Sequence, residues 1–181
     1  LVWYKNSSCC IIIDPGDNPE LIVEEINKNN FEPLAIVNTH AHLDHIGGVG
    51  TIQKKYKIPF YLHQNEKIIL NNYTRDCRYF GIDSNSPPIV DYWFDSGKLE
   101  LKEFTIKLLE TPGHTPGGTC LVIEEHVFTG DTIFCGSIGR TDLPGGNWET
   151  LCDSLVKLMN DLPSDYILHP GHGQITSLSE E

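Results

Sequence analysis

Three histidines and one aspartate are crowded into residues 39–45, whose sequence is THAHLDH. Imidazole nitrogens and carboxylate oxygens bind divalent metals well, and four such groups at one turn are costly unless a cation binds them. Because side chains alternate along an extended segment, His40 and His42 leave it on one face and can bind one ion together. Asp44 and His45 follow where the chain bends towards two glycines, so they point elsewhere. The segment therefore predicts half of a site for each of two ions.

The remaining ligands are expected from three later loops, each of which follows a predicted strand. His114 lies in a loop rich in glycine and proline, Asp131 follows Gly130, and His172 is flanked by two glycines. Glycine permits the sharp turns and close backbone approach that such loops need. We therefore expect His114, Asp131 and His172 to complete the metal site.

The other three histidines are given other roles. His63 follows a predicted strand, and we expect it to be structural or to contact a metal ligand. His126 is predicted to lie in a solvated hairpin turn. We expect His169 to be a buried, hydrogen-bonding residue that shapes the loop carrying His172.

Strands and helices must bring these loops together. The apolar pattern of the first half predicts strands at residues 1–5, 9–14, 34–38 and 60–62, and helices at 19–29, at 49–56 (after two glycines) and at 64–70. The second half predicts antiparallel strands at 99–101, 104–110, 119–123 and 127–129, a helix at 149–160 and a last strand at 166–168. Residues 71–88 are polar, contain two prolines and are predicted to form a loop. Two strand-rich halves with helices indicate an α/β (α+β) protein whose sheets are covered by helices on both outer faces.

Length and charge limit the class of protein. A chain of 181 residues suits a single domain spanning residues 1–181, and we expect a short N-terminal segment to precede Leu1, which opens a strand. The net charge of −12 argues against binding to the phosphate backbone of nucleic acids. No apolar run approaches the ~20 residues needed to cross a membrane. We expect no membrane association, and the sequence predicts no oligomeric state.

Six cysteines occur without a C-x-x-C pair. Several lie in apolar runs, where cysteine behaves as a small hydrophobic residue. We therefore predict free thiols in a reducing compartment. No charged n-region of a signal peptide is seen, so the predicted location is cytoplasmic.

The order T-H-x-H-x-D-H, lone His, Asp, final His resembles the metallo-β-lactamase superfamily over nearly the whole chain. The resemblance implies a four-layer αββα sandwich with metals at one edge of its two sheets. It also implies roles for the seven ligands. The first metal would be held by His40, His42 and His114, the second by Asp44, His45 and His172, with Asp131 bridging the two.

Residues 130–134 (GDTIF) and 136–142 (GSIGRTD) resemble the glyoxalase II-like group within that superfamily. The resemblance implies an enzyme that hydrolyses small-molecule thioesters of the S-acylglutathione type. It also implies two bound divalent ions, which would be zinc or else iron or manganese. A bound metal lowers the pKa of water to ~7, so the two ions can hold a hydroxide nucleophile, with Asp44 and Asp131 as the catalytic carboxylates. The chain ends about nine residues after His172, without the C-terminal helical domain of glyoxalase II, and therefore resembles the short single-domain hydrolases.

Two alternatives stay open at this point. Arg140 could bind a substrate carboxylate, or it could form a salt bridge with Asp142 or Asp131 that fixes its loop. Persulfide dioxygenases share the fold and the Gly-Arg-Thr-Asp segment, and use one iron held by two histidines and one aspartate. Those three would be His40, His114 and Asp131. A metal-binding domain without catalysis would have the same candidate ligands.

Overall fold

The computed structural model describes residues 1–82 and 86–181. The described chain forms two compact units. The first contains Leu1–Leu62 and Ile69–Phe94, and the second contains His63–Ile68 and Asp95–Glu181. The units correspond to the two strand-rich halves predicted from the sequence, except that the short segment His63–Ile68 belongs with the second half.

The first unit is built on a sheet with the order β1-β2-β3-β4-β5. Its strands are β1 (Val2–Trp3), β2 (Cys9–Ile13), β3 (Glu32–Val37), β4 (Phe60–His63) and β5 (Tyr92–Phe94). The three central strands pair in parallel, which requires crossover connections. These connections contain α1 (Pro19–Asn29), then α2 (Leu43–Ile46) and α3 (Val49–Tyr56). Because β2 is buried in the sheet, it is a continuous apolar run rather than an alternating one.

The predicted loop over residues 71–88 is partly wrong. After a 3₁₀ turn (Gln64–Glu66) and α4 (Lys67–Leu70), the chain forms α5 (Tyr73–Phe80). Tyr73 and Cys77 are one helical turn apart, and both are buried in the core of the first unit. The helix is short and polar on average, so its composition resembles that of a loop although its two buried residues have helical spacing. Residues 83–85 lie outside the described residues.

The second unit is built on a sheet with the order β13-β12-β9-β8-β7-β6. Its strands are β6 (Gly97–Leu101), β7 (Phe104–Glu110), β8 (Thr119–Ile123), β9 (His126–Gly130), β12 (Ile167–Pro170) and β13 (Thr176–Ser177). The antiparallel series β6 to β9 confirms the predicted meander. A small hairpin, β10 (Ile133–Phe134) and β11 (Ser137–Ile138), follows β9, and α6 (Trp148–Asp161) precedes β12.

Helix starts illustrate how local sequence positions these elements. Asn147 caps α6 as its sequence predicts, since its side-chain oxygen accepts a hydrogen bond from the Thr150 amide at 2.9 Å. Helix α1 also begins where predicted, at Pro19. However, Asn18 adopts a left-handed conformation, with φ of 55°, and makes no side-chain cap there.

The six cysteines, all within the described residues, are free thiols as predicted. Among the residues that the structure describes, no helix is long and apolar enough to cross a membrane.

Candidate metal centre

Four of the predicted ligands lie in the first unit, just after β3. The connection from β3 to α2 contains His40 and His42, and α2 itself contains Asp44 and His45. The rings of His40 and His45 are close, with centroids 4.1 Å apart, and those of His40 and His42 are 4.9 Å apart. His40 and His45 are almost fully buried, whereas the side chain of Asp44 is 52% exposed. The segment therefore has two buried histidines, a partly buried His42 and a carboxylate at the surface.

Asp14, at the end of β2, holds this segment in place. One of its carboxylate oxygens accepts a hydrogen bond from the Thr39 amide at 2.7 Å, and the other from the Thr39 hydroxyl at 2.6 Å. The second oxygen also lies 2.9 Å from Nδ1 of His45. An ionised carboxylate can only accept hydrogen bonds, so Nδ1 of His45 carries the proton and Nε2 is the basic nitrogen. A carboxylate that orients a histidine in this way is typical of metal sites.

The same reasoning assigns the ring of His40. The Thr39 hydroxyl, which donates to Asp14, lies 3.0 Å from Nδ1 of His40. Since its single hydrogen is already used, the hydroxyl accepts from His40, and Nδ1 carries the proton there too. His40 and His45 therefore both present Nε2 as a lone-pair donor. The Asp14 carboxylate and the Thr39 hydroxyl therefore set which nitrogen of each ring is available to bind a metal.

Gly16 allows the loop after β2 to pack against the histidine segment. A Cβ atom at this position would lie 1.8 Å from the backbone oxygen of Asp44, so no other residue fits without movement. The amide of Gly48 donates to the Pro15 oxygen at 2.8 Å and ties the two loops together. The backbone contacts thus fix the position of α2, which contains Asp44 and His45.

The second unit contains the other three predicted ligands. His114 lies in the loop between β7 and β8, Asp131 follows β9, and His172 follows β12. Strands β9 and β12 are parallel, and the Gly171 amide donates to the Gly130 oxygen at 2.8 Å. Because parallel strands end at the same edge of a sheet, Asp131 and His172 are brought together there.

Asp131 faces two histidines with its two different oxygens. Oδ2 lies 3.5 Å from Nε2 of His114, and Oδ1 lies 3.7 Å from Nε2 of His172. Nδ1 of His114 donates to the backbone oxygen of Arg140 at 2.7 Å, so its Nε2 is again the basic nitrogen. Two ligands of one tetrahedral zinc ion are about 3.4 Å apart, given metal–ligand bonds of about 2.1 Å. These separations are longer than good hydrogen bonds and are close to the spacing of two ligands on one ion.

The polypeptide around Asp131 is closely packed. A Cβ atom on Gly139 would lie 1.8 Å from the Asp131 backbone oxygen. The hydroxyl groups of Thr111 and Thr132 lie 3.0 Å apart in the buried layer beside it. Cys120 also contacts Thr111 there, and burial raises the pKa of its thiol to about 11, so it stays a protonated packing residue. The carboxylate is therefore held by a rigid backbone.

Arg140 has the ion-pair partner that one of the two alternatives requires. Its guanidinium makes two hydrogen bonds to the carboxylate of Asp142, at 2.7 and 2.8 Å. Both side chains are more than half exposed. Hydrogen bonds from Arg140 lower the pKa of Asp142 to about 2. The Arg140 backbone oxygen, rather than its side chain, is the part that contacts a candidate ligand.

The three remaining histidines can now be placed. His63 is structural, as predicted: Nδ1 accepts from the Asn65 amide and Nε2 lies 3.0 Å from Glu110. The prediction for His126 is wrong, because the turn consists of the two residues before it and His126 begins β9, where Nδ1 lies 2.9 Å from Nε2 of His169. His169 is hydrogen-bonded as predicted, although only half buried. Burial, together with the nearby His126, lowers the pKa of His169.

Sequence reasoning missed Asp14, although the signal was present. Asp14 follows an apolar strand and lies near a glycine, as Asp131 does, although its neighbours Pro15 and Gly16 are also typical of a turn that ends a strand. One of its carboxylate oxygens lies within 4.8 Å of ring nitrogens of both His40 and His45.

Known proteins resemble this chain over most of its length. The family described as "Metallo-beta-lactamase superfamily" matches residues 1–172. "Probable metallo-hydrolase YqgX" of Bacillus subtilis is 38% identical over 180 residues, covering 95% of this chain and 83% of that protein. "Hydroxyacylglutathione hydrolase GloC" of Haemophilus influenzae is 32% identical over 186 residues, covering 100% and 87%.

Two solved structures share the fold of the whole chain. BLEG-1 B3 metallo-beta-lactamase has a TM-score of 0.91 and 33% identity, covering 98% of this chain and 88% of its own. TTHA1623, solved in a di-iron-bound form, has a TM-score of 0.85 and 36% identity, covering 93% and 84%. These similarities confirm the predicted fold class, a mixed α/β metallo-β-lactamase fold.

Proposed function

Because the chain belongs to the metallo-β-lactamase superfamily of metal-dependent hydrolases, we propose that its seven candidate ligands form one binuclear centre that hydrolyses a thioester. One ion is held by His40, His42 and His114, and the other by Asp44, His45 and His172. Asp131 contributes to both. The observation that carries this proposal is the geometry of Asp131, whose two oxygens face two different histidines.

Two divalent ions bound here would lower the pKa of a water to ~7 and polarise the substrate carbonyl. The protein's own groups then have distinct tasks. Asp14, Thr39 and the Arg140 oxygen fix three rings so that Nε2 points to the ligand position. Asp44, exposed and 3.9 Å from Nε2 of His45, accepts a hydrogen bond from the attacking water and orients it. No serine or cysteine nucleophile is required.

The proposed substrate is a small S-acylglutathione-type thioester. Support comes from the similarity to GloC and from the glyoxalase II-like segments around Asp131 and Arg140. The net charge of −12 disfavours nucleic acid as an alternative substrate. Zinc is the expected metal, with iron as the alternative that the di-iron form of TTHA1623 supports. We also propose a cytoplasmic location, which suits six free thiols.

A mononuclear iron persulfide dioxygenase is the second candidate. The dioxygenase would need only His40, His114 and Asp131 as metal ligands. The close approach of His114 to Asp131 is compatible with the hydrolase and with the dioxygenase. The two candidates differ in what Asp44, His45 and His172 are for. In the hydrolase these residues bind the second metal, whereas in the dioxygenase they are dispensable for metal binding.

The two candidates are separated by assaying one preparation with two substrates. Purified protein loaded with zinc or with iron is given S-lactoylglutathione, and loss of the thioester absorbance is followed. The same samples are given glutathione persulfide in an oxygen electrode. We expect thioester hydrolysis that His172→Ala reduces by at least a hundredfold, and no oxygen uptake. Oxygen uptake with iron alone, unaffected by His172→Ala, would replace the hydrolase by the dioxygenase. Nitrocefin serves as the β-lactam control.

A further inference from the structure

The loop that carries His114 is held from two sides. On one side, Asn147, the N-cap of α6, and Ser154, in the middle of α6, bind its first carbonyls. The Asn147 amide donates to the Gly113 oxygen at 2.7 Å, and the Ser154 hydroxyl donates to the Pro112 oxygen at 2.6 Å. On the other side, the Gly117 amide donates to Oε1 of Glu66 at 2.7 Å. His114 lies between these two anchors.

Glu66 is an unusual residue for the second anchor. Its side chain is completely buried, and a buried carboxylate is costly unless hydrogen bonds stabilise it. Hydrogen bonds to an ionised acceptor are shorter and stronger than those between neutral groups, which offsets part of that cost. Glu66 has no part in the proposed mechanism, so catalysis does not explain why a carboxylate is buried at this position.

The turn that contains Glu66 is capped by His63. Nδ1 of His63 accepts from the Asn65 amide and so caps the 3₁₀ turn Gln64–Glu66, while Nε2 lies 3.0 Å from Glu110 at the end of β7. Gly117 packs directly on this turn. A Cβ atom there would lie 2.8 Å from Nδ1 of His63 and 2.9 Å from Cγ of Glu66. A side chain at position 117 would therefore displace the loop from the turn.

We propose that Glu66 is a positioning residue for the metal centre: through the Gly117 amide it sets the place of His114 relative to Asp131. This inference rests on the proposed function, because it assigns Glu66 a role only if His114 binds metal. A displaced loop moves Nε2 of His114 away from Oδ2 of Asp131, now 3.5 Å distant, and weakens shared coordination. Glu66 acts through the loop and does not touch the metal.

The test is a double-mutant cycle read out by Co²⁺ titration of the metal-free protein, using visible absorption and well below the unfolding temperature. Removal of a group that orients a metal ligand typically weakens metal binding about 10–100-fold, so we expect Glu66→Leu to weaken Co²⁺ binding by about tenfold or more. Glu66→Gln, whose amide oxygen can still accept from Gly117, should stay within about threefold of wild type. In a His114→Ala background, Glu66→Leu should cause no further loss.

The possible contradictions are distinct. Equal weakening by Glu66→Leu with and without His114 would show that Glu66 acts elsewhere and would overturn the inference. Wild-type affinity in Glu66→Leu, alongside weak binding in His114→Ala, would overturn the inference and leave the proposed function standing. Wild-type affinity in His114→Ala would overturn both. Should Glu66→Leu fail to fold, Gly117→Ala displaces the loop with Glu66 intact, and unchanged Co²⁺ affinity in that variant refutes the proposal.

Discussion

Nδ1 of His45 lies 2.9 Å from a carboxylate oxygen of Asp14, and that contact determines which ring nitrogen is free of a proton. Asp14→Asn replaces one accepting oxygen by an NH₂ group, so the hydrogen bonds to Thr39 and His45 can no longer all be kept. We expect metal affinity to fall about 10–100-fold, as is usual when a group orienting a ligand is lost. A competition titration with a zinc chelator measures it.

The control for this prediction is Asp17→Asn, which removes an exposed carboxylate from the same loop. Its metal affinity should match that of wild type. Similar affinities in the Asp14 and Asp17 variants would mean that Asp14 does not orient His45 for a metal.

Backbone packing beside Asp131 yields a second prediction. Gly139→Ala places a methyl group only 1.8 Å from the Asp131 backbone oxygen, which is too close for either atom to stay where it is. Overpacking of this kind typically costs about 1–3 kcal/mol of unfolding free energy, and it should also displace Asp131 and reduce hydrolysis. Urea denaturation and the thioester assay measure the two effects.

Gly50→Ala is the matched variant for Gly139→Ala. A Cβ at position 50 meets nothing within 4 Å, and the residue lies in helix α3. Alanine is the better helix former, so unfolding free energy should rise by up to about 1 kcal/mol with activity unchanged. If both variants behaved alike, close packing at Gly139 would not be what holds Asp131.

Arg140 is expected to matter little through its side chain. The guanidinium is already engaged with Asp142, and the backbone oxygen that holds His114 survives substitution. We therefore expect Arg140→Gln to change KM for S-lactoylglutathione by less than about threefold, since exposed ion pairs contribute little. A KM tenfold higher at constant kcat would instead assign Arg140 to a substrate carboxylate.

Thiol reactivity tests the burial of the cysteines. Cys135 is exposed and Cys152 partly exposed, whereas the other four are buried. Burial raises the pKa of Cys10 and of Cys120 to about 11, and the thiolate is the reactive form. With a disulfide reagent at pH 8, native protein should show one fast phase that Cys135→Ser removes. Rapid loss of all six thiols without denaturant would contradict the described core.

Most of the candidate ligands could be selected from the sequence because they are local or follow strands. The segment 39–45 contains four candidate ligands, and His114, Asp131 and His172 each follow a strand next to a glycine. Asp14 was harder to recognise, because its position after a strand marks it as a candidate but its contact with His45 spans 31 residues. Helix α5 was missed because only Tyr73 and Cys77 are buried along it.

Contacts between residues far apart in the sequence explain the other features that the sequence did not predict. His126 and His169 meet because β9 and β12 pair in parallel, a register that the sequence of either strand does not contain. Glu66 lies in a short turn whose importance appears only once Gly117 is packed on it. That the two sets of ligands form one centre, and that the chain is a single domain, stay predictions.

The most direct test of the central claim is a count of bound metal ions. Wild type and Asp131→Ala are purified, loaded with zinc, freed of excess metal and analysed by elemental mass spectrometry. A binuclear centre bridged by Asp131 predicts two ions per chain in wild type and at most one in the variant, with thioester hydrolysis reduced by orders of magnitude. Two ions and full activity in Asp131→Ala would contradict it.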